Sequence, residues 1–133
     1  MPFNQADLDQ TFDEAVSRFN SGDYDSLAQL FDQDIAWKML HHVDSRHGRD
    51  NVKDWLKNNK STLNPQFTPD TDPTKKKKRP NTGDSGVRIC GPAKWKPAKI
   101  GSVVEELDYV FTFTRSGDGA PWFLINAFGN IVS

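Results

Sequence analysis

Residues 22 to 56 read GDYDSLAQLFDQDIAWKMLHHVDSRHGRDNVKDWL. Gly22 ends one element and Asp23 starts the next, because an Asp side chain accepts hydrogen bonds from the free amides of a first helical turn. Tyr24, Leu27, Leu30 and Phe31 then fall at helical spacing on one face. From Ile35 to Val43 the period changes to two. Trp37, Met39 and His41 share one side, and Lys38, Leu40 and His42 the other, as in a strand. Gly48 and Asp50 open a further helix that turns Val52, Trp55 and Leu56 inward.

Upstream, Asn4 to Asn20 reads as a helix capped by Asn4, with Asp7 in its first turn and Phe3 stapling its entry. Leu8, Phe12, Ala15, Val16 and Phe19 form its apolar face. Downstream, Val87–Lys96, Ser102–Arg115 and Trp122–Val132 read as strands, and short links make them antiparallel. Val103, Leu107, Tyr109, Phe111 and Phe113 alternate onto one face of the longest strand, and Ser116 to Gly119 makes a Gly-rich turn. Gly91-Pro92 interrupts the first of the three as a bulge or edge feature. The expected fold is α+β, with three N-terminal helices and a mostly antiparallel sheet, and 133 residues make one domain, 1–133.

The stretch from 63 to 86 differs in kind. It carries Pro65, Pro69, Pro73 and Pro80, the run Lys75-Lys76-Lys77-Lys78-Arg79, and Phe67 as the single apolar anchor after Leu63. So little to bury predicts a long, mobile surface loop. Five consecutive cations between prolines resemble a nuclear-import address, read by an import receptor in a eukaryotic cell, or a contact for an anionic partner. The bland reading is a solvated loop.

Composition sets further bounds. A net charge of −1 gives no whole-molecule argument for nucleic acid or membrane. Cys90 is the single cysteine, so no internal disulfide forms, and an intracellular, reducing setting is expected. No basic start followed by an apolar run suggests a signal peptide. No phosphate loop, nucleophile elbow or Cys pair is present, and His41, His42, Asp44 and His47 match no known metal-ligand spacing. No metal and no cofactor are therefore expected.

In order and spacing, GDYDSLAQLFDQDIAWK, RHGRDNVKDWL and YVFTFTRSGDGAPWFLINAFGNI resemble the nuclear transport factor two-like superfamily, the cystatin-like cone shared with polyketide-cyclase-like and ketosteroid-isomerase-like proteins. The resemblance implies that the sheet is curved, with a pocket inside the cone and pairing of two copies as a homodimer through the sheet. Its walls would be Phe12, Val16, Phe19, Trp37, Met39, Trp55, Tyr109 and Phe111, with His41, Glu105 and Asn126 as sparse polar groups. The expected function is binding of a small hydrophobic molecule, with lyase or isomerase chemistry as its catalytic form. His41 would be the base, Tyr109 the oxyanion donor, and Glu105 a carboxylate of raised pKa. The alternative is a non-catalytic interaction domain using sheet face and basic loop.

Overall fold

Asp7 rather than Asn4 caps the first helix, accepting from the amides of Asp9 and Gln10 at 2.9 and 3.2 Å. Asn4 instead closes a separate turn, its Oδ1 accepting from the Ala6 amide. Helix α1 therefore spans Leu8–Ser21 and ends at Gly22, whose φ of 76° is the left-handed conformation that glycine adopts without steric cost. The computed structural model describes residues 3–39, 46–59, 66–70, 72, 74–80, 86–95 and 105–131, with backbone alone for Met39, Pro80, Glu105, Asn130 and Ile131.

Asp23 caps α2 (Tyr24–Ala28) as expected, its carboxylate accepting from the Ser26 amide. Strand β1 begins at Phe31, four residues before the alternation predicts, and its described part runs to Met39. A two-residue strand, β2 (Arg46–His47), and α3 (Arg49–Asn58) follow, the helix opening at Gly48. Then come β3 (Thr68–Pro69), β4 (Lys77–Pro80), β5 (Val87–Trp95), β6 (Glu105–Thr114) and β7 (Phe123–Ile131). They form one mixed sheet of seven strands among the described residues, in order β2-β1-β7-β6-β5-β3, with β4 also on β5. The β1–β7 pair is parallel, and the other pairs are antiparallel. Parallel pairing is open to β1 and β7 because all the intervening chain serves as their crossover.

Two irregularities bend the sheet over the helices, one between Phe31 and Ala36 of β1 and one between Thr112 and Phe113 of β6. The second corrects an expectation. Phe113 pairs with Leu124 and Thr112 with Asn126, so Ile125 is an extra residue on β7. That residue inverts the alternation: Ala127 turns into the core, fully buried, and Asn126 joins Thr112 on the outer face. Asn126 is not a pocket residue.

The stretch expected to be a mobile loop is also corrected. Thr68–Pro69 and Lys77–Pro80 pair with β5 and cover its edge. Composition misleads here because an edge strand is held by backbone pairing, and lysines are tolerated on an edge that must not recruit other chains. Pairing also splits the basic run by face. Lys78 stands opposite the buried Ile89 and reaches Asp9 of α1 at 2.6 Å, joined there by Lys76 at 3.4 Å. The Lys78 hydrogen bond and, more weakly, Lys76 hold the Asp9 carboxyl below its ordinary range. Lys77 and Arg79 stand opposite Cys90 and Arg88 on the outer face. Residues 63–65, 71, 73 and 81–85 of this stretch lie outside the described residues.

Phe67, the anchor, is buried to 2% exposure. Its burial is worth about 2–3 kcal/mol, enough to order the few residues around it. Asn20 adds two hydrogen bonds to the Phe67 backbone, from Nδ2 to the carbonyl at 2.6 Å and from the amide to Oδ1 at 2.7 Å. No helix among the described residues is long and apolar enough to cross a membrane.

Candidate functional site

The concave face is built in rows by register. Trp37, Ala127, Phe111 and Ile89 lie across one row, and Met39, Gly129, Tyr109 and Gly91 across the next. Glycines flank Tyr109 on both sides, and the space over Gly91 is taken by the Lys75 backbone carbonyl. Phe12 of α1 stacks on Tyr109 with centroids 5.6 Å apart, and meets Phe111 at 5.7 Å. Phe67 stacks on Phe111 at 5.8 Å and stands edge-on to Tyr109, Trp95 and Phe19. Phe19 continues the cluster to Trp37 and Tyr24. Of the expected walls, Phe12, Phe19, Trp37, Tyr109 and Phe111 are thus brought together, but they touch: aromatic rings fill this part of the cone.

Open space lies at the mouth instead. A groove of about 480 Å³ runs between α1 and the strap formed by 66–70 and 74–80. Phe12, Val16 and Phe67 make its apolar floor, and Asp13, Ser17, Asn20, Asp70, Asp72 and Lys76 its polar rim. A second opening of about 450 Å³ lies on the other side of the strap, between Thr68–Asp70, Lys75, Pro92–Lys94 and Glu106–Asp108. Three carboxylates and one ammonium line the first groove, and Asp70 is also ion-paired to Lys75 at 3.7 Å. Asp72 accepts from the Thr74 hydroxyl and amide, which lowers its pKa. Lys76 lies 5.2 Å above the Phe12 ring.

Beneath this floor, burial raises the Tyr109 phenol to about 12, helped by the nearby negative potential of Cys90, Asp13 and Asp70. It is a hydrogen-bond donor at neutral pH, never a base. Two other buried polar atoms, Tyr24 Oη and Trp37 Nε1, have no hydrogen-bond partner among the described residues.

The remaining candidates scatter. His41, His42 and Asp44 lie outside the described residues, and His47 is exposed on β2. Glu105 pairs with Trp95 at the start of β6, and Met39 with Gly129, but their side chains lie outside the described part. Trp55 sits on α3, half-buried under the Arg46 guanidinium, which lies 5.7 Å from its ring. Sequence reasoning missed Phe67, Asn20, Trp95 and the rim carboxylates. The signal for Phe67 was present: an apolar ring alone among polar residues needs somewhere to go.

No family model and no curated protein matches the sequence. Solved structures do match in fold. A ketosteroid isomerase-like protein from Erwinia carotovora atroseptica SCRI1043 aligns with TM-score 0.73 and 11% identity, over 95% of this chain and 94% of that one. A nuclear transport factor two-like protein from Burkholderia xenovorans LB400 aligns with TM-score 0.59 and 16% identity, over 99% and 92%. One from Novosphingobium aromaticivorans, described as having a cystatin-like fold, aligns with TM-score 0.63 and 14% identity, over 93% and 79%. On the curved mixed sheet, the three helices in front of it and these alignments, the chain has the nuclear transport factor two-like, cystatin-like α+β fold.

Proposed function

We propose that this chain binds a small ligand with an apolar body and a cationic end, seated in the groove between α1 and the strap. The observation that carries the reading is the groove's composition: an apolar floor of Phe12, Val16 and Phe67 under a rim where Asp13, Asp70 and Asp72 outnumber Lys76. Sparse polar groups around an apolar floor are the usual anatomy of a small-molecule site. In the catalytic form of this reading, His41 is the base, Glu105 a further carboxylate, and Tyr109, buried beneath the floor, the donor to developing negative charge once Phe12 or Phe67 moves aside. Titration calorimetry with phenylalkylammonium ions against the matching neutral alcohols tests it. The ammonium ions should bind tighter, and Asp13→Asn with Asp70→Asn should weaken them by up to about 5-fold per carboxylate while leaving the alcohols unchanged. Equal binding of both series, unmoved by the substitutions, overturns the reading.

A second reading, a protein-contact surface, is favoured by the outer face of the sheet. Register lines up Lys77, Cys90, Val110, Phe128 and Lys38 there, next to Arg79, Arg88, Thr112 and Asn126. Phe128, 36% exposed, stands in the middle of that face. A homodimer through it follows the expectation for this fold, and light-scattering mass tests that directly. Two chains per particle, falling to one in Phe128→Asp, is the expected result; one chain throughout rules it out. An import receptor fits less well, because reading five consecutive cations would require β4 to leave β5.

A further inference from the structure

We propose that Phe67 is a built-in plug: it occupies a site in the cone shaped for a planar apolar ring of about phenyl size, and Asn20 is the latch that holds it there. The proposal deepens the ligand-binding reading above and rests on it. The Phe67 ring is received by four others from three elements, Phe19 of α1, Trp95 of β5, and Tyr109 and Phe111 of β6. Three of these contacts are edge-on and one is stacked, the arrangements in which aromatic quadrupoles attract. A small aromatic guest would be held by the same geometry.

Phe67 is attached in a way that suits withdrawal. It belongs to no helix or strand, and its neighbours Gln66 and Thr68 are both exposed. One side chain, Asn20, makes both hydrogen bonds to its backbone. The nearest ladder is the two-residue β3, with one more bond from the Asp70 amide to the Pro92 carbonyl. The ring also has somewhere to move, since it already forms part of the floor of the solvent-open groove beside α1. By contrast, Phe111 and Tyr109 lie in the centre of a long ladder paired on both sides. Segments whose backbone is held by short ladders and few hydrogen bonds open without global unfolding.

Native-state hydrogen exchange on the wild-type chain reads the opening, because the Phe67 amide donates to the Asn20 side chain and, among the described residues, to no backbone carbonyl. Its exchange should run about 100-fold or more faster than that of the central β6 amides, and independently of low denaturant. Toluene should accelerate it further by occupying the vacated site. Exchange of Phe67 only together with the β6 core overturns the plug. Phe67→Ala should bind toluene at least about 10-fold tighter than wild type, as a preformed apolar cavity does. A folded Phe67→Ala that binds no tighter also overturns the proposal. If that variant does not fold, Asn20→Ala carries the test, with faster Phe67 exchange and tighter toluene binding expected and unchanged values counting against the latch. Failure here with ammonium ions still bound in the groove removes the plug alone; toluene binding with no ammonium preference removes the groove reading alone.

Discussion

Gly91→Ala should destabilise this protein by about 1–3 kcal/mol, and Gly91→Val by more, because each added atom enters occupied space. Gly91 lies in the middle of β5, in the row of Tyr109 and Gly129. A Cβ there would stand 2.7 Å from the backbone carbonyl oxygen of Lys75 and 3.3 Å from Tyr109 Oη. The first distance is closer than carbon and oxygen tolerate, and the obstacle is backbone, so the strap must move. It crosses β5 at this point, between the β3 pairing at Ala93–Lys94 and the β4 pairing at Val87–Cys90. The substitution should therefore loosen the strap before the rest of the sheet. Urea melts give the stability loss, and exchange of the Lys77 to Arg79 amides shows where it falls. A Gly91→Ala chain as stable as wild type would mean that the crossing is not this tight.

Alkaline pH should unfold the protein between about pH 10 and 12. Burial raises both Tyr24 and Tyr109 from an ordinary value of 10 to about 12. The sign follows from linkage. The fold favours the neutral phenols, so their contribution is complete below pH 10 and is lost as pH climbs toward 12. The ceiling is about 2–3 kcal/mol per tyrosine, and less where a ring edge keeps some solvent. Stability against urea should be flat with respect to these groups at neutrality and fall through that window. The double Tyr24→Phe, Tyr109→Phe variant separates the phenols from the lysines that titrate there too, and should lose most of the slope. Tyr24→Phe carries an added signature: Tyr24 Oη is buried without a partner among the described residues, so removing it should cost nothing at neutral pH, or stabilise slightly. Tyrosinate absorbance rising near pH 10 in the folded protein would contradict the burial argument.

Local rules explain why much of the architecture was legible. Asp23 and Gly48 start helices where their chemistry says they should, and Gly22 stops one. The alternation of Leu107, Tyr109, Phe111 and Phe113 identified the buried face of β6 because every second residue of a strand shares a side. Trp37, Tyr109 and Phe111 were found by that strand period, and Phe12 and Phe19 by helical spacing along α1. That these rings fill the cone instead of lining it was not legible. Filling depends on Phe67, which arrives from a stretch with no period and meets its partners from 28 to 48 positions away in sequence, Trp95 at one end and Phe19 at the other.

Three outcomes were left to the tertiary structure, each for a definite reason. A single extra residue, Ile125, reverses which face Asn126 occupies, and nothing local marks a bulge that only the partner strand defines. Lys75 to Arg79 is one run in sequence, but pairing with β5 sends Lys78 toward Asp9 and Lys77 and Arg79 to the outer face, because a strand sorts consecutive side chains by parity. The groove beside α1 exists because a strap held by pairing with β5, by the Phe67 ring and by Asn20 lies over the cone's mouth. Sequence by itself determined the three helices, the long strands and the buried faces of α1 and β6, since those follow from each residue and its near neighbours. The site was decided by long-range register and by what fills the interior, which are properties of the assembled chain.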